Sequence, residues 1–491
     1  MSVGHGIIER MFGSGSQLHD YWEPPDTPAS RALIDTLVAS TRHENQAAAC
    51  RLKAVGDLFE MRRAERGEAE DWAVDTWAAV GAEIAAALRV SLGKAGSFMN
   101  YGLAMLRLPA VAAVFAAGDI GMDAFRTISY RTGNITDGAV MAEVDRRIAV
   151  RSARWPSMTQ GRLSAEIDRI VARLDPDAIR RTRDRAQDRE VTVWDNGDGL
   201  AELSGRLFST DAQLLDKQLD ALAGTVCESD PRTVAQRRAD ALGALAARGE
   251  RLMCQCGAAN CPAAVGQTPA VVIHVVADQS TLDGTSDNPG YLVGADSLIS
   301  AELLRDLAET AKLRPLVHPG DSDAEPRYQP SRALADFVRF RDLTCRAPGC
   351  DRPAVACDLD HTVPYAAGGP THAGNLKCLC RVHHLLKTFW GWRDRQLPDG
   401  TVIWNLPDGH TYVTTPGSAL LFPTLSAPTG PLFPSPATPA DKGDRSALMP
   451  LRKSTRSQNR AHRIATERAH SRAMRLQACP PPSPGDEPPP F

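Results

Sequence analysis

The sequence predicts an α+β protein with a mostly helical N-terminal domain over residues 29–312, a small mixed module over 331–415, and a disordered C-terminal tail over 416–491. Three observations predict it. Apolar residues recur at three-to-four spacing from about 29 to 188, the period of helices that bury one face. Cysteine and histidine crowd into residues 345–384, at spacings that suit a metal better than a disulfide. After 416 the chain turns rich in Pro, Ser, Thr and Gly, a composition that buries no core, with a transient helix expected only in the basic segment 452–475. At 491 residues the chain is also too long for one ordinary core.

In chain order, residues 1–28 form an N-terminal segment without a basic stretch followed by a long apolar run, so a secretory signal is not expected and a cytoplasmic location is. Leu33, Ile34, Leu37 and Val38, then Leu52, Val55, Leu58 and Phe59, mark amphipathic helices, and a bundle is the natural way to bury their stripes. Further helical patterns follow near 76–96, 110–117, 121–131, 138–151 and 158–174, with Pro109, Gly118, Gly121 and Pro156 at boundaries. Val191 and Val193 alternate before an Asn-Gly-Asp-Gly turn, which predicts a hairpin near 190–207. Helices are expected at 211–223, 232–248, 299–312 and 331–343, a buried strand at 269–278, and a linker at 313–330.

Net charge is −3, but its distribution matters more than its sum. Residues 331–395 carry +4 and residues 452–475 carry +7, leaving −14 for the rest. Basic segments on an acidic body fit a protein whose C-terminal half touches phosphates, and the basic tail is expected to follow a nucleic-acid backbone in a salt-dependent way. The most apolar stretch, LAMLRLPAVAAVFAAG, is interrupted by Arg107 and Pro109, so no membrane span is expected.

Cys345 and Cys350 flank a Pro- and Gly-containing knuckle, and Cys380 and His383 form a second short-spaced pair about thirty residues on. Two such pairs are how a chain builds tetrahedral structural zinc, with Cys357 and Cys378 as rival ligands. Asp360, His361, Asn375 and His384 are left without a role in that zinc site. Here the chain resembles an HNH endonuclease: the Asp360-His361 pair, Pro364, Gly368-Gly369, Asn375-Leu376 and Cys380-x-x-His383-His384 match that pattern across residues 332–388. The resemblance implies a ββα-metal finger, a zinc-stabilised nuclease module acting on DNA, and products with 5′ phosphate and 3′ hydroxyl ends.

The same residues suit phosphodiester hydrolysis on chemical grounds. His361, with an ordinary imidazole pKa of roughly 6.5, is the candidate general base. Asp360 and His384 are the candidate ligands of one catalytic Mg²⁺ or Mn²⁺ ion. Asn375 is the candidate orienting group for His361, and Lys387 a candidate phosphate contact. His383 and His384, neighbours on a helix, point about 100° apart, so one can face zinc and the other the catalytic ion. His372 reads as a surface residue, and Trp390 and Trp392 as packing.

LRLPAVAAVFAAGDIGMDAFRTI, QRRADALGALA and CQCGAANCPA resemble the helical region that precedes the HNH module in the actinobacterial 13E12 repeat family, also called DUF222. Cys254, Cys256 and Cys261 are three candidate ligands of a second zinc, with a fourth unidentified and His274 available nearby. The competing expectations are a zinc-stabilised nucleic-acid-binding module that does not cleave, and an interaction protein dominated by the helical region.

Overall fold

The computed structural model describes residues 27–478, apart from 153, 156–157, 181–188, 196–199, 264–273, 295–296, 310, 431–432 and 434–447. Helix α1 (Pro28–Arg66) starts where Thr27 and Ser30 cap each other and Pro28 takes the first turn. It runs as one 39-residue helix. Six helices follow: α2 (Thr76–Leu88), α3 (Leu92–Arg107), α4 (Pro109–Ala116), α5 (Met122–Arg131), α6 (Gly138–Ser152) and α7 (Gln160–Ala172). Asp75 caps α2 by accepting from Ala78 N at 2.8 Å.

These helices share a core that includes Leu52, Met99, Leu108, Phe115, Phe125, Ile148 and Ile167. Helices α1 and α3 touch backbone to backbone at Gly56 and Gly102. A Cβ added at Gly102 would lie 2.8 Å from Gly56 N and 2.9 Å from Leu52 O, atoms that cannot give way. Gly102→Leu is therefore expected to cost about 1–3 kcal/mol, read as a lower midpoint in urea with an unchanged slope.

The first turns of α1 depart from the expected bundle. Leu33, Ile34, Leu37 and Val38 are all more than half exposed among the described residues, instead of buried in the bundle. Periodicity predicts a face, not its partner.

Strands β1 (Glu190–Asp195) and β2 (Ala201–Arg206) form the expected antiparallel hairpin, in register from Glu190 opposite Arg206 to Asp195 opposite Ala201. Its Asn196–Gly199 turn lies outside the described residues. Helices α8 (Ser209–Ala223) and α9 (Val234–Ala246) pack on each other. A second small sheet joins β3 (Val275–Val276), β4 (Gly290–Leu292) and β5 (Ser297–Ile299), with α10 (Gln279–Leu282) between and α11 (Ala301–Ala308) after it. The strand expected at 269–278 is thus only β3 among described residues, 269–273 lying outside them.

Helix α12 (Arg332–Asp342) leads into β6 (Asp358–His361), β7 (Leu376–Leu379) and α13 (Arg381–Phe389), which make the ββα unit. Strands β8 (Arg393–Gln396), β9 (Val402–Asn405) and β10 (Thr411–Thr414) then form a three-stranded meander, which brings Trp392 and Trp404 edge-to-face at 5.8 Å. Its first strand, Arg-Asp-Arg-Gln, is too charged to announce itself. One core joins this region to α2: Val74, Ala79, Ala82 and Ala86 pack in the same cluster as Phe337, Leu386, Trp390 and Trp404. Trp390 Nε1 donates to Val74 O at 3.1 Å, so Trp390 and Trp392 pack as expected.

The tail departs most from expectation. Phe422 and Leu425, within the expected linker, are buried in that shared core. Residues 456–478 form a helix, α14 (Arg456–Ala478), that lies back on the N-terminal helices. Arg452 and Arg456 pair with Asp75 at 3.0 Å each, Arg468 with Asp175 at 2.7 Å, and Arg475 with Asp177 at 2.8 Å. The described parts of the tail, 416–430 and 448–478, are therefore folded onto the rest, and four of its cations have carboxylate partners. The segment after 478 lies outside the described residues. No single described helix is long and apolar enough to cross a membrane; one bent pair, α3 with α4, passes only by length and composition and belongs to the buried helical core.

Candidate active site

Two knuckles bring the four expected zinc ligands together. Cys345, Cys350, Cys380 and His383 place their ligand atoms within 4.8 Å of one another. Cys380 Sγ lies 3.1 Å from His383 Nδ1, and Cys345 Sγ 3.6 Å from the same nitrogen. Gly349 supplies the turn of the first knuckle with φ of +73°, where it also meets Ala85 O too closely for a side chain. Three thiols and one imidazole at this spacing are a donor set that can hold a metal such as zinc. Hydrogen bonds from Cys345 and Cys350 hold the Cys380 thiol far below its usual range, while burial pushes Cys345 up and its bonds to Cys345 and Cys380 push Cys350 up. The rivals fall outside this group of four: Cys357 neighbours Cys345 but turns its Sγ to the Pro353 carbonyl at 3.4 Å, and Cys378 Sγ faces the Val338 carbonyl at 3.9 Å.

On the other side of α13, His384 faces β6. Its Nδ1 meets Asp358 Oδ2 at 2.9 Å and its Nε2 lies 3.6 Å from Asp360 Oδ1. Asp358 and Asp360 sit two apart on one strand and so share a face. Asp358 thus fixes the imidazole with Nε2 turned toward Asp360, the usual arrangement of a carboxylate behind a metal-binding histidine. One carboxylate oxygen and one imidazole nitrogen fit a divalent ion that draws its remaining ligands from water and phosphate. The role of Asp358 was missed, although its spacing from Asp360 was the available signal.

Asp360 has a second set of partners. Lys377 Nζ and Lys387 Nζ each lie 2.6 Å from Asp360 Oδ2, and both also pair with Asp394. Burial would push the Asp360 carboxyl up, but the two ammonium groups more than reverse this and hold it well below the carboxylate range. Burial likewise works against the charged form of Lys377, and Asp360 and Asp394 overcome it. Lys387, expected as a phosphate contact, instead turns into the site and also donates to His361 O at 2.7 Å. Lys377 lies directly opposite Asp360 in the β6–β7 register, with no exposed side-chain surface.

Lys377→Met leaves two buried carboxylates short of one of their two shared cations, the fully buried one. A loss of about 3–5 kcal/mol is expected in chemical denaturation, whereas Lys387→Met, which leaves Lys377 in place, is expected to cost clearly less.

His361 is buried at the end of β6 and stacks on Tyr328 with ring centroids 5.2 Å apart. Its Nε2 lies 2.9 Å from Thr371 Oγ1, whose own hydroxyl donates to Tyr328 O at 3.4 Å. With the hydroxyl proton so directed, Nε2 carries hydrogen and Nδ1 carries the lone pair. Burial, helped by the nearby lysines and opposed by Asp360, lowers the His361 pKa below the ordinary value, so the ring is neutral and able to accept a proton.

Asn375 makes no hydrogen bond to the His361 ring. Its Oδ1 accepts from Val363 N at 2.8 Å and its Nδ2 donates to Val363 O and Pro370 O at 3.0 and 2.9 Å, stapling the loop that joins His361 to Thr371. Arg341, fully buried, donates to Ala373 O and Leu376 O at 2.8 Å and fixes both sides of Asn375. His372, expected at the surface, is buried and bonded at Nε2 to Ser322 O at 3.1 Å.

Cys254, Cys256 and Cys261 also converge, and the fourth group beside them is Cys227. His274 instead lies against the Phe340 ring at 6.0 Å. Sequence spacing missed Cys227 because it stands alone, twenty-seven residues before Cys254.

A family profile described as "Domain of unknown function (DUF222)" matches residues 39–342. An uncharacterized protein of Mycobacterium tuberculosis, Rv3776, is 45% identical over 93% of this chain and 92% of its own length. A second from the same organism, Rv2100, is 44% identical over 92% of this chain and 90% of its own length. A third, described as lying in the est 3′ region, is 40% identical over 62% of this chain and 95% of its own length. No solved structure matches the chain.

Proposed function

The chain belongs to the DUF222 family, and from its C-terminal ββα unit we propose that it is a metal-dependent HNH endonuclease that hydrolyses DNA phosphodiester bonds. The observation that supports this best is the 3.6 Å approach of His384 Nε2 to Asp360 Oδ1, beside a neutral His361. When bound there, a Mg²⁺ or Mn²⁺ ion supplies charge stabilisation for the phosphate and the leaving 3′ oxygen. The protein's own residues do the rest. His361 Nδ1 takes the proton of the attacking water. Thr371 keeps the ring in the tautomer that permits it, and Asn375 holds the loop carrying both. Asp358 orients His384, and the zinc knuckles fix the start of α13 from behind.

A second reading, a nucleic-acid-binding module that does not cleave, is favoured by the two lysines already seated on Asp360 Oδ2. The readings separate in one assay. The nuclease nicks or linearises supercoiled plasmid with added Mg²⁺ or Mn²⁺ and stops in excess chelator. The binding module gives a salt-sensitive mobility shift and no metal-dependent product at any ion in the series.

A further inference from the structure

We propose that Cys227, Cys254, Cys256 and Cys261 hold a second structural zinc ion, and that this ion takes the place of a hydrophobic core in the part of the chain built from α8, α9 and the loop that follows them. The four sulfurs lie within 4.8 Å of one another, with Cys227 Sγ 3.5 Å from Cys254 Sγ. A set of four soft sulfur donors at this spacing selects zinc over magnesium or calcium.

The loop is shaped for the purpose. Cys254 N donates to Ala263 O at 2.8 Å and Cys261 N to Ala258 O at 3.1 Å, which folds the Cys254–Cys261 segment into a knuckle with Gly257 at φ of +71°. Three further bonds dock that knuckle on the connection between α8 and α9. Leu252 N donates to Thr225 Oγ1 at 2.9 Å, Gln255 N to Asp230 Oδ2 at 2.9 Å, and Arg232 Nη2 to Met253 O at 2.7 Å. Cys227 is thereby delivered from one side and the other three cysteines from the other.

The reason for an ion is what this region lacks. Among its described residues, the apolar side chains buried besides Cys254 are Leu222, Ala223, Ala241, Leu252 and Ala263, and none of them joins either hydrophobic core of the protein. Two helices and an irregular loop with so little apolar burial need another source of order, which small units regularly take from a metal. The hairpin β1–β2 adds none, since every residue of β2 is exposed.

The test is metal content of the full-length protein purified under reducing conditions, with no readout of cleavage. Wild type is expected to carry two equivalents of zinc, and Cys227→Ser one, with new protease cuts confined to 209–263 and unchanged emission from Trp392 and Trp404. Cys50→Ser, in exposed α1, is expected to keep two. Should Cys227→Ser prove insoluble, Cys227→His keeps a ligand and is expected to retain the second equivalent, and cobalt-loaded wild type to show the absorption of a four-thiolate site beside that of the Cys345 site. A soluble Cys227→Ser that carries as much zinc as wild type overturns the proposal, as does recovery of these four cysteines as disulfides.

Discussion

His361→Ala is expected to lower plasmid cleavage by about 10²–10⁴-fold, the usual contribution of a positioned general base, while leaving the mobility shift on the same DNA within twofold. The ring is buried against Tyr328, so a fold readout must accompany the assay. His361→Asn keeps size and polarity but has no basic nitrogen, and is expected to be equally inactive with an unchanged melting temperature. Thr371→Val is the finer probe. It removes the acceptor that holds hydrogen on Nε2, so the ring is free to take the other tautomer, and kcat is expected to fall more than KM rises. Cleavage that survives in His361→Asn sinks the assignment of this residue as base.

Cys380→Ser is expected to empty the Cys345 site and unfold the C-terminal module. Structural zinc contributes ~10–16 kcal/mol to units that fold only with it. The module here also has apolar packing, and His383 sits 5.4 Å from Trp392 within it. Zinc loss is therefore expected to appear as a red shift of tryptophan emission and loss of a cooperative transition. Because Trp390 donates to Val74 O and α2 shares the same core, the helical domain is expected to lose stability as well. A Cys380→Ser protein that keeps its zinc and its melting temperature contradicts the ligand assignment.

The sequence made some of this plain and hid the rest, for physical reasons. Ligand pairs at short spacing are legible because a knuckle is local, so Cys345, Cys350, Cys380 and His383 could be named in advance. The hairpin was legible from alternation and a turn. Lys377 was hidden in sequence but becomes evident once β6 and β7 are paired, since it faces Asp360 across the ladder. Asp394 comes from another sheet and no local pattern leads to it. The docking of α14 was missed for the same reason. Eight basic residues against one acidic read as a solvated tail until Asp75, Asp175 and Asp177, some three hundred residues or more upstream, are placed beside them.

That docking sets an order of events during synthesis. Asp75 is almost wholly enclosed, and its carboxylate receives Arg452 and Arg456, which leave the ribosome nearly four hundred residues later. Helices near the beginning of the chain thus emerge with an acidic group awaiting a counter-charge that does not yet exist. A nascent chain stalled after the cysteine-histidine knuckles would hold every proposed catalytic residue and still lack the clasp that closes its first domain.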